Sequence, residues 1–334
     1  NADIAWAQVR DFYERRQYQP AWLVAGKATQ DARILMSVFS TADNDGLNPQ
    51  EYATADLHNR LAQLQIPAPD SRVDAVVNAG NTTQLELLLT TTALRYSRDV
   101  ALGHPISHRI DAHWYTVART VDVSDILLKA LASGQLASLP TQLAPKHPEY
   151  ARLKTMLLRY RKLAADNSLK TVTQANSAYI NLNTLRNNLY TLGDLQPPRS
   201  ADNVFHENLS RADAEFRYRN AAQPRVVPST ASDLAKLAII NRYDRYLAEA
   251  IRRFEARHGL NPDGIPDSNM IAAMDVSAHT RVRQLELNLE RWRWLPADLG
   301  SPYIFVNIAS YRLQVRSQSD DVPLKMRVIV GEDK

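Results

Sequence analysis

The spacing of the apolar residues in this 334-residue chain changes near Tyr303, and this change constrains the fold more than any other feature. Upstream, apolar residues recur every three or four positions, as in Trp6, Val9, Phe12 and Tyr13, which is the spacing of one helical face. Downstream, they alternate with polar residues, which is typical of a half-buried strand. The sequence therefore predicts a mainly α chain that turns into β-structure from residue 303 onward.

Helical spacing continues through most of the chain before residue 303. It predicts helices through Ile34–Phe39, over about Thr83–Val100, over about Pro148–Ala165, from Ile180 to Gly193-Asp194, and from Tyr243 to His258-Gly259. The first of these is expected to end at Asp45-Gly46, because glycine suits the left-handed residue that follows a helix. Residues 196–242 are poorly patterned and rich in proline, so we expect an inserted loop or subdomain there.

The C-terminal alternation predicts three short strands, at about 303–308, 311–316 and 324–330, which form an antiparallel meander. Three short strands without a second layer are marginally stable and leave their edges unpaired. We therefore expect that a domain begins here and that its remainder is absent from these residues. The first residue is Asn1 rather than Met, which suggests that an upstream signal or anchor has been removed.

Composition narrows the function classes. The net charge is +4 and no run of five basic residues occurs, so nucleic-acid binding has little support. The chain has no cysteine, which excludes disulfides, thiolate metal sites and a cysteine nucleophile within these residues. No stretch of about 18 apolar residues is present, so no membrane-spanning helix is predicted in them.

Two clusters invite interpretation as metal sites. Asp43–Gly46 resembles part of a calcium loop, but Thr41 and Tyr52 then occupy the first and last ligand positions, where Asp and Glu are required. His104, His108 and His113 lie close in sequence, but Asp111 is the only carboxylate among them. We interpret the first cluster as a helix-ending turn and the second as loop histidines, and predict no metal and no cofactor.

The segment Ile180–Met274 resembles a small three-helix peptidoglycan-binding module. The residues that carry the resemblance are Leu182–Leu189 with Gly193-Asp194, then Tyr243–Leu247 with Ala250 and Phe254, and finally His258-Gly259-Leu260-Asn261-Pro262-Asp263-Gly264. Glu255 and Asp267 replace a common Gln and Gly, and the insertion at about 196–242 interrupts the module. The resemblance implies peptidoglycan binding, for which we name Arg253, Phe254, His258, Gly259, Asp263 and Gly264.

The segments on either side are similar to large L,D-transpeptidases. Arg283–Pro296 resembles the helix that enters the catalytic domain of this family, and residues 303–308, 311–313 and 326–331 resemble that domain's first strands. Gly46–Tyr52 and His147–Tyr150 resemble its helical scaffold. The resemblance implies a scaffold domain at 1–175, a binding module at 176–282, a linker helix at 283–302 and an incomplete catalytic domain at 303–334.

In that family a cysteine thiolate attacks a stem-peptide amide, and the acyl group then passes to an amine of a neighbouring stem. The resemblance implies a carbapenem-sensitive, periplasmic, inner-membrane-anchored enzyme of cell-wall biogenesis. Its partners would be peptidoglycan stem peptides, glycan and other cell-wall synthesis proteins. Because cysteine is absent, the chain as given is predicted to be inactive.

Two alternatives stay open. The chain could be a non-catalytic peptidoglycan-binding scaffold or adaptor, or a helical DNA-binding protein, which would bind duplex in a salt-sensitive way. The basic helix that carries Arg252, Arg253 and Arg257 is either a solvated face or a peptidoglycan contact. Trp292 and Trp294 are interpreted as packing anchors rather than as sugar-stacking residues.

Overall fold

The computed structural model describes residues 2–64, 72–104, 120–173, 180–195, 244–296, 299–308, 311–316 and 324–331. Within these residues the chain is mainly helical, with two small antiparallel sheets. The predicted fold class, mainly α with antiparallel strands towards the C-terminus, is confirmed. The predicted insertion at about 196–242, as well as His108 and His113, lie outside the described residues.

The helices are α1 (Ala2–Arg15), α2 (Gln30–Ser40), α3 (Ala55–Gln63), α4 (Arg72–Leu102), α5 (Val123–Ala132), α6 (Leu139–Leu143), α7 (Pro148–Ala165), α8 (Leu182–Thr191), α9 (Asp244–His258), α10 (Ser268–Met274) and α11 (Ala278–Arg293). The strands are β1 (Leu23–Val24), β2 (Lys27–Ala28), β3 (Tyr303–Asn307), β4 (Arg312–Arg316) and β5 (Leu324–Arg327). The last three are neighbours in the order β3-β4-β5, as a meander requires. Helix α4 begins eleven residues before the predicted Thr83, because residues 72–82 contain no proline that would end it.

The chain folds into two compact units. The first comprises residues 1–158, 283–305 and 313–326, and the second comprises residues 159–282, 306–312 and 327–334. The domain boundaries at 175, 282 and 302 rest on the family resemblance and stay predictions.

The first unit is held by a helical core in which α1, α2, α4, α5 and α6 bury their apolar faces. At its centre the rings of Phe39, Tyr52 and Tyr96 pack at centroid distances of 5.2 to 6.3 Å. The Tyr52 hydroxyl donates to the buried Asp99 carboxylate over 2.9 Å. Arg98 also donates to this carboxylate over 2.9 Å, so the buried charge is paired.

A second buried carboxylate, Glu86 on α4, fixes the chain that comes after α1. Its oxygens accept hydrogen bonds from the backbone N–H of Ala21 at 2.6 Å, Trp22 at 3.1 Å and Leu23 at 2.9 Å. The Tyr13 hydroxyl adds a fourth donor at 2.8 Å. Charge-assisted bonds of this kind are about twice as strong as neutral ones, so residues 21–23 are held firmly against α4.

Helix α11 packs within the first unit through Leu289 and Arg293, which are both fully buried. Gly46 comes directly after a 3₁₀ turn with φ of 73° in the left-handed region, and a Cβ there would lie 3.1 Å from the Leu289 Cδ1. Helix α2 ends at Ser40 rather than at the predicted Asp45-Gly46, and Gly46 instead ends the 3₁₀ turn, where it permits close approach of α11. In the last turn of α11, the Trp292 ring stacks on Phe305 of β3 with a centroid distance of 6.0 Å.

The buried Arg293 guanidinium joins three elements of the first unit. It donates to the Asp45 carbonyl, to the Tyr150 hydroxyl at 3.2 Å and to the Glu290 carboxylate at 2.8 Å. Glu290 also accepts from the backbone N–H of His104 at 2.5 Å. Burial opposes the charge on Glu290, but the hydrogen bond from His104 and the Arg293 charge lower the pKa of that carboxyl below its usual range.

Candidate peptidoglycan-binding site

The predicted binding module lies in the second unit and consists of α8, α9 and α10. Each helix turns an apolar stripe inward, and the buried residues include Leu185, Leu189, Ile251, Phe254 and Met270. Side-chain caps mark the starts of two helices. Asn181 accepts from the Thr184 N–H at 3.0 Å at the start of α8, and Asp267 accepts from the Met270 N–H at 2.7 Å at the start of α10.

The turn between α9 and α10 depends on two glycines. Gly259 has φ of 74° and Gly264 has φ of 80°, in the left-handed region that glycine adopts without strain. A Cβ on Gly264 would lie 2.9 Å from the Ala248 carbonyl oxygen, whereas a Cβ on Gly259 would meet no atom within 4 Å. Glycine is therefore required at position 264 because the backbone of α9 lies so close. At position 259 it is required only because the backbone is in the left-handed region.

The loop between these glycines is ordered by its own side chains. One Asp263 oxygen accepts from the Ile265 N–H at 2.9 Å, and the other accepts from the Asn261 side-chain amide at 3.0 Å. Residues Asn261, Pro262 and Asp263 are all exposed. The loop thus presents polar atoms to solvent from a fixed backbone.

Two titratable groups beneath the loop have perturbed pKa values. Glu255 is buried and accepts from the Gly264 N–H at 2.9 Å, and burial raises the pKa of its carboxyl to about 7. His258 donates through Nδ1 to the Phe254 carbonyl oxygen, 2.8 Å away, and its ring packs on the Phe254 ring with a centroid distance of 3.9 Å. Burial lowers the pKa of His258 to about 4, so the imidazole is neutral at physiological pH.

An ion pair joins the end of α8 to α9. The Arg257 guanidinium donates to both Asp194 oxygens, at 2.6 and 2.9 Å. Arg253 donates to the Asp194 backbone carbonyl at 2.8 Å, and its guanidinium lies 3.7 Å from Glu249 on the same helix. The side chain of Arg253 is still 43% exposed, so it can exchange the Glu249 contact for a ligand carboxylate.

The segment before α8 is tied to the same module. The Asp275 carboxylate, just after α10, accepts from the N–H of Val172 at 2.6 Å and from the Thr173 hydroxyl at 2.7 Å. Asn188 on α8 exchanges hydrogen bonds with the backbone of Lys170, accepting at 3.1 Å and donating at 2.6 Å. These bonds fix residues 170–173 against two of the three helices.

The six residues named from the sequence fall into two groups. Arg253, Gly259 and Asp263 are exposed, and His258 is half-buried against Phe254. Phe254 and Gly264 are buried inside the module, so they stabilise its fold and do not contact a ligand directly. Arg253 and Asp263 are not joined to each other by any described hydrogen bond or ion pair, and each has partners of its own, namely Asp194 and Glu249 for Arg253, and Asn261 and Ile265 for Asp263.

Sequence reasoning missed the contacts of two carboxylates. Asp194 belongs to a Gly-Asp motif and Arg257 to a basic helix face, but their pairing over 63 residues has no local signal. Asp275 also escapes sequence reasoning, because nothing near it in the chain marks it as the anchor of residues 172 and 173.

The chemistry of this surface suits an anionic, polar ligand. Exposed guanidinium groups of Arg252 and Arg253 recognise carboxylates, and the Asn261–Asp263 loop accepts and donates hydrogen bonds. Among the described residues, no group of three or more His, Asp or Glu side chains is placed to hold a metal ion. None of the described helices combines the length and apolar character needed to cross a membrane.

Comparison with known families agrees with this geometry. Residues 7–157 match the family described as "Scaffold domain", and residues 234–274 match the family described as "Putative peptidoglycan binding domain". No match was found among curated proteins. The chain therefore carries a scaffold domain followed by a peptidoglycan-binding domain. The second supports an association with the cell wall and peptidoglycan as a partner.

Proposed function

We propose that this chain is the scaffold and wall-binding portion of a periplasmic, inner-membrane-anchored L,D-transpeptidase that cross-links peptidoglycan. The observation that carries the proposal is the order of the matches, a scaffold domain at 7–157 and then a peptidoglycan-binding domain at 234–274. The strands β3, β4 and β5 come next along the chain, and the proposal assigns them to the beginning of a catalytic domain.

In this proposal the surface formed by Arg252, Arg253, Asn261 and Asp263 holds the wall. The guanidinium of Arg253 pairs with a carboxylate of a stem peptide, because a fork of N–H donors matches a carboxylate in two places. Asp263 accepts from an amide or ammonium group of the stem. Glu255, Phe254 and Gly264 act from beneath by fixing the loop that carries these groups.

The cross-linking chemistry requires a cysteine, and none of the 334 residues is one. A thiolate attacks the carbonyl of the amide that joins an L-centre of the donor stem to its terminal D-residue, and that residue leaves as an amine after its nitrogen takes up a proton. The resulting thioester is then attacked by an amine of the acceptor stem, which restores the thiol. The chain described here contributes the wall binding that brings donor stems to such a cysteine.

A sacculus sedimentation assay tests the wall-binding part. Arg253→Ala and Asp263→Asn are expected to lower the bound fraction of the chain, because each removes an exposed charged group from the surface. Arg152→Ala is the matched control, since Arg152 is a 73% exposed arginine on α7 in the first unit. Equal binding by all three variants would contradict the assigned surface.

Intact mass measurement of the natural protein with and without a carbapenem tests the enzymatic part. A covalent adduct is expected if the protein carries the reactive cysteine. A protein that binds sacculi but forms no adduct would instead be a non-catalytic peptidoglycan-binding adaptor.

A further inference from the structure

A cleft of about 540 Å³ opens on the first unit, and none of the residues assigned above lines it. It lies between one face of α1 and the middle of α4, and the chain that leads into β1 closes its third side. Its walls include three aromatic residues, one arginine and two threonines, namely Trp6, Tyr13, Tyr18, Arg10, Thr82 and Thr83. The volume of the cleft falls within the usual range for small-ligand sites.

The two rings at the cleft are unusually open to solvent. Trp6 is 58% exposed and Tyr18 is 70% exposed, although both line a concave surface. Large apolar rings are normally exposed singly, and a concave group of them indicates a binding surface. Tyr13 lies deeper, and its ring continues the aromatic wall into the core.

The backbone holds Tyr18 in a conformation that side chains seldom adopt. Gln17 has φ of 52° and Tyr18 has φ of 60°, which places two successive non-glycine residues in the left-handed region. The turn is secured by the Tyr18 N–H bond to the Tyr13 carbonyl at 2.8 Å and by the Arg16 guanidinium, which donates to the Pro20 carbonyl at 2.8 Å. The backbone that carries the exposed Tyr18 ring is therefore held in a strained conformation, although the core does not use the ring.

The two charged residues that line the cleft, Glu86 and Arg10, differ in whether they have partners. Glu86 lines it, but its oxygens are already engaged by the N–H groups of residues 21–23 and by Tyr13. Arg10 is exposed, and among the described residues it makes no hydrogen bond or ion pair. The cleft thus offers the positive charge of Arg10, which no described residue pairs, beside aromatic walls, with the side chains of Thr82 and Thr83 on the α4 side.

We propose that this cleft binds the glycan of peptidoglycan, as an N-acetylated sugar carrying an adjacent carboxylate. Pyranose rings present C–H faces that pack on aromatic rings, and their equatorial groups need polar partners at the edge of the site. Trp6 and Tyr18 supply the stacking faces, and Arg10 pairs with the carboxylate. The inference rests on the proposed association with the wall and adds a second contact on the scaffold.

The rival occupant of such a groove is an amphipathic helix of a partner protein. A helix with an aliphatic face would pack on Val9, Leu23 and Leu87, which also line the cleft, but that face would offer no carboxylate to Arg10. The open rings together with Arg10 match a flat, polar-edged ligand better. Sugar binding by the cleft is therefore preferred, and helix binding is an outcome that the test can reveal.

The experiment is calorimetric titration of the purified chain with three probes. These are peptide-free glycan from amidase-treated sacculi cut by muramidase, the disaccharide-tetrapeptide, and neutral oligomers of N-acetylglucosamine. Trp6→Ala and Tyr18→Ala are each expected to raise the Kd for all binding probes about tenfold. Trp6→Phe is expected to recover part of this loss, because the smaller ring still stacks.

Arg10→Ala separates the charged contact from the stacking contact. It is expected to raise the Kd of the probes that carry a carboxylate and to leave the Kd of the neutral oligomers unchanged. A larger effect on the peptide-free glycan means that Arg10 pairs with a carboxylate of the glycan. A larger effect on the disaccharide-tetrapeptide means that it pairs with a carboxylate of the stem. Leu158→Ala is the control, since Leu158 is an exposed apolar residue of the first unit that does not line the cleft.

Two results would overturn the inference, and they are distinguishable from failure of the proposed function. If Arg253→Ala weakens binding but the cleft variants do not, wall binding stands and the glycan contact of the scaffold is refuted. If the chain binds sacculi but binds no soluble glycan probe, the cleft is not a glycan site, and a partner helix becomes the occupant to seek. If the wild-type chain binds neither sacculi nor glycan, both proposals fail.

Discussion

Replacement of Arg293 by Met should destabilise the first unit strongly, although no ligand or catalytic group is touched. The guanidinium is fully buried and donates to the Asp45 carbonyl, the Tyr150 hydroxyl and the Glu290 carboxylate. Met retains much of the aliphatic volume but donates nothing. The Glu290 side chain is only 16% exposed, so its charge would lose a partner within the protein.

The expected cost depends on how much of the network remains. Breaking a buried ion pair by removing one partner costs about 3 to 5 kcal/mol. Glu290 would still accept from the His104 N–H and from the Trp294 indole at 3.2 Å, so the lower end applies. We therefore expect a loss of about 3 kcal/mol in the free energy of unfolding. Arg293→Met combined with Glu290→Gln should cost less than the sum of the single changes, by about 1 to 3 kcal/mol.

Urea unfolding followed by tryptophan fluorescence measures this effect in the relevant unit. None of the five tryptophans falls within residues 159–282, 306–312 or 327–334, so their emission reports the first unit. If the slope of the free energy of unfolding against urea concentration is unchanged, the substitution has not altered the denatured state. Arg152→Met is the exposed control. A loss below about 1 kcal/mol, or strictly additive single changes, would refute the assignment of Arg293 as the buried centre of the network.

Three further predictions concern other parts of the chain. Gly264→Ala should lower the protection of α9 against hydrogen exchange by the equivalent of about 2 kcal/mol or more, and Gly259→Ala by about 1 kcal/mol, because only the former adds a clash with Ala248. The pKa of Glu255 is raised, so this carboxyl stays protonated in the folded protein between pH 4.5 and about 7. Its contribution to the stability of the second unit is therefore lost as pH rises through that window. His258 has a lowered pKa of about 4, so its contribution is lost as pH falls from 6.5 towards 4. In Glu255→Gln, the hydrogen-exchange protection of the second unit should therefore fall only as pH is lowered and no longer as pH is raised. A pH profile like that of the wild-type protein would contradict this. Tyr52→Phe should cost the first unit about 1 to 2 kcal/mol in urea unfolding, because the buried Asp99 loses a donor; no measurable change would mean that Asp99 is satisfied without it.

Local features of the structure could be predicted from the sequence because they depend on residues a few positions apart. The stripe in Pro148–Ala165 matches α7 as observed, since apolar spacing reports which face of a helix is buried. Gly259 and Gly264 marked the turn after α9, because backbone conformation at a turn restricts residue type directly. The change of period near Tyr303 likewise located the three C-terminal strands.

Only the tertiary structure decided which charges are buried and what they pair with. Arg293 and Glu255 have no local signature of burial, yet one is enclosed by residues more than a hundred positions away and the other has a pKa of about 7. The pairing of Asp194 with Arg257 and the cleft between α1 and α4 also arise from distant segments. The physical reason is that desolvation and pairing depend on every neighbour in space, whereas sequence spacing reports only neighbours along the chain.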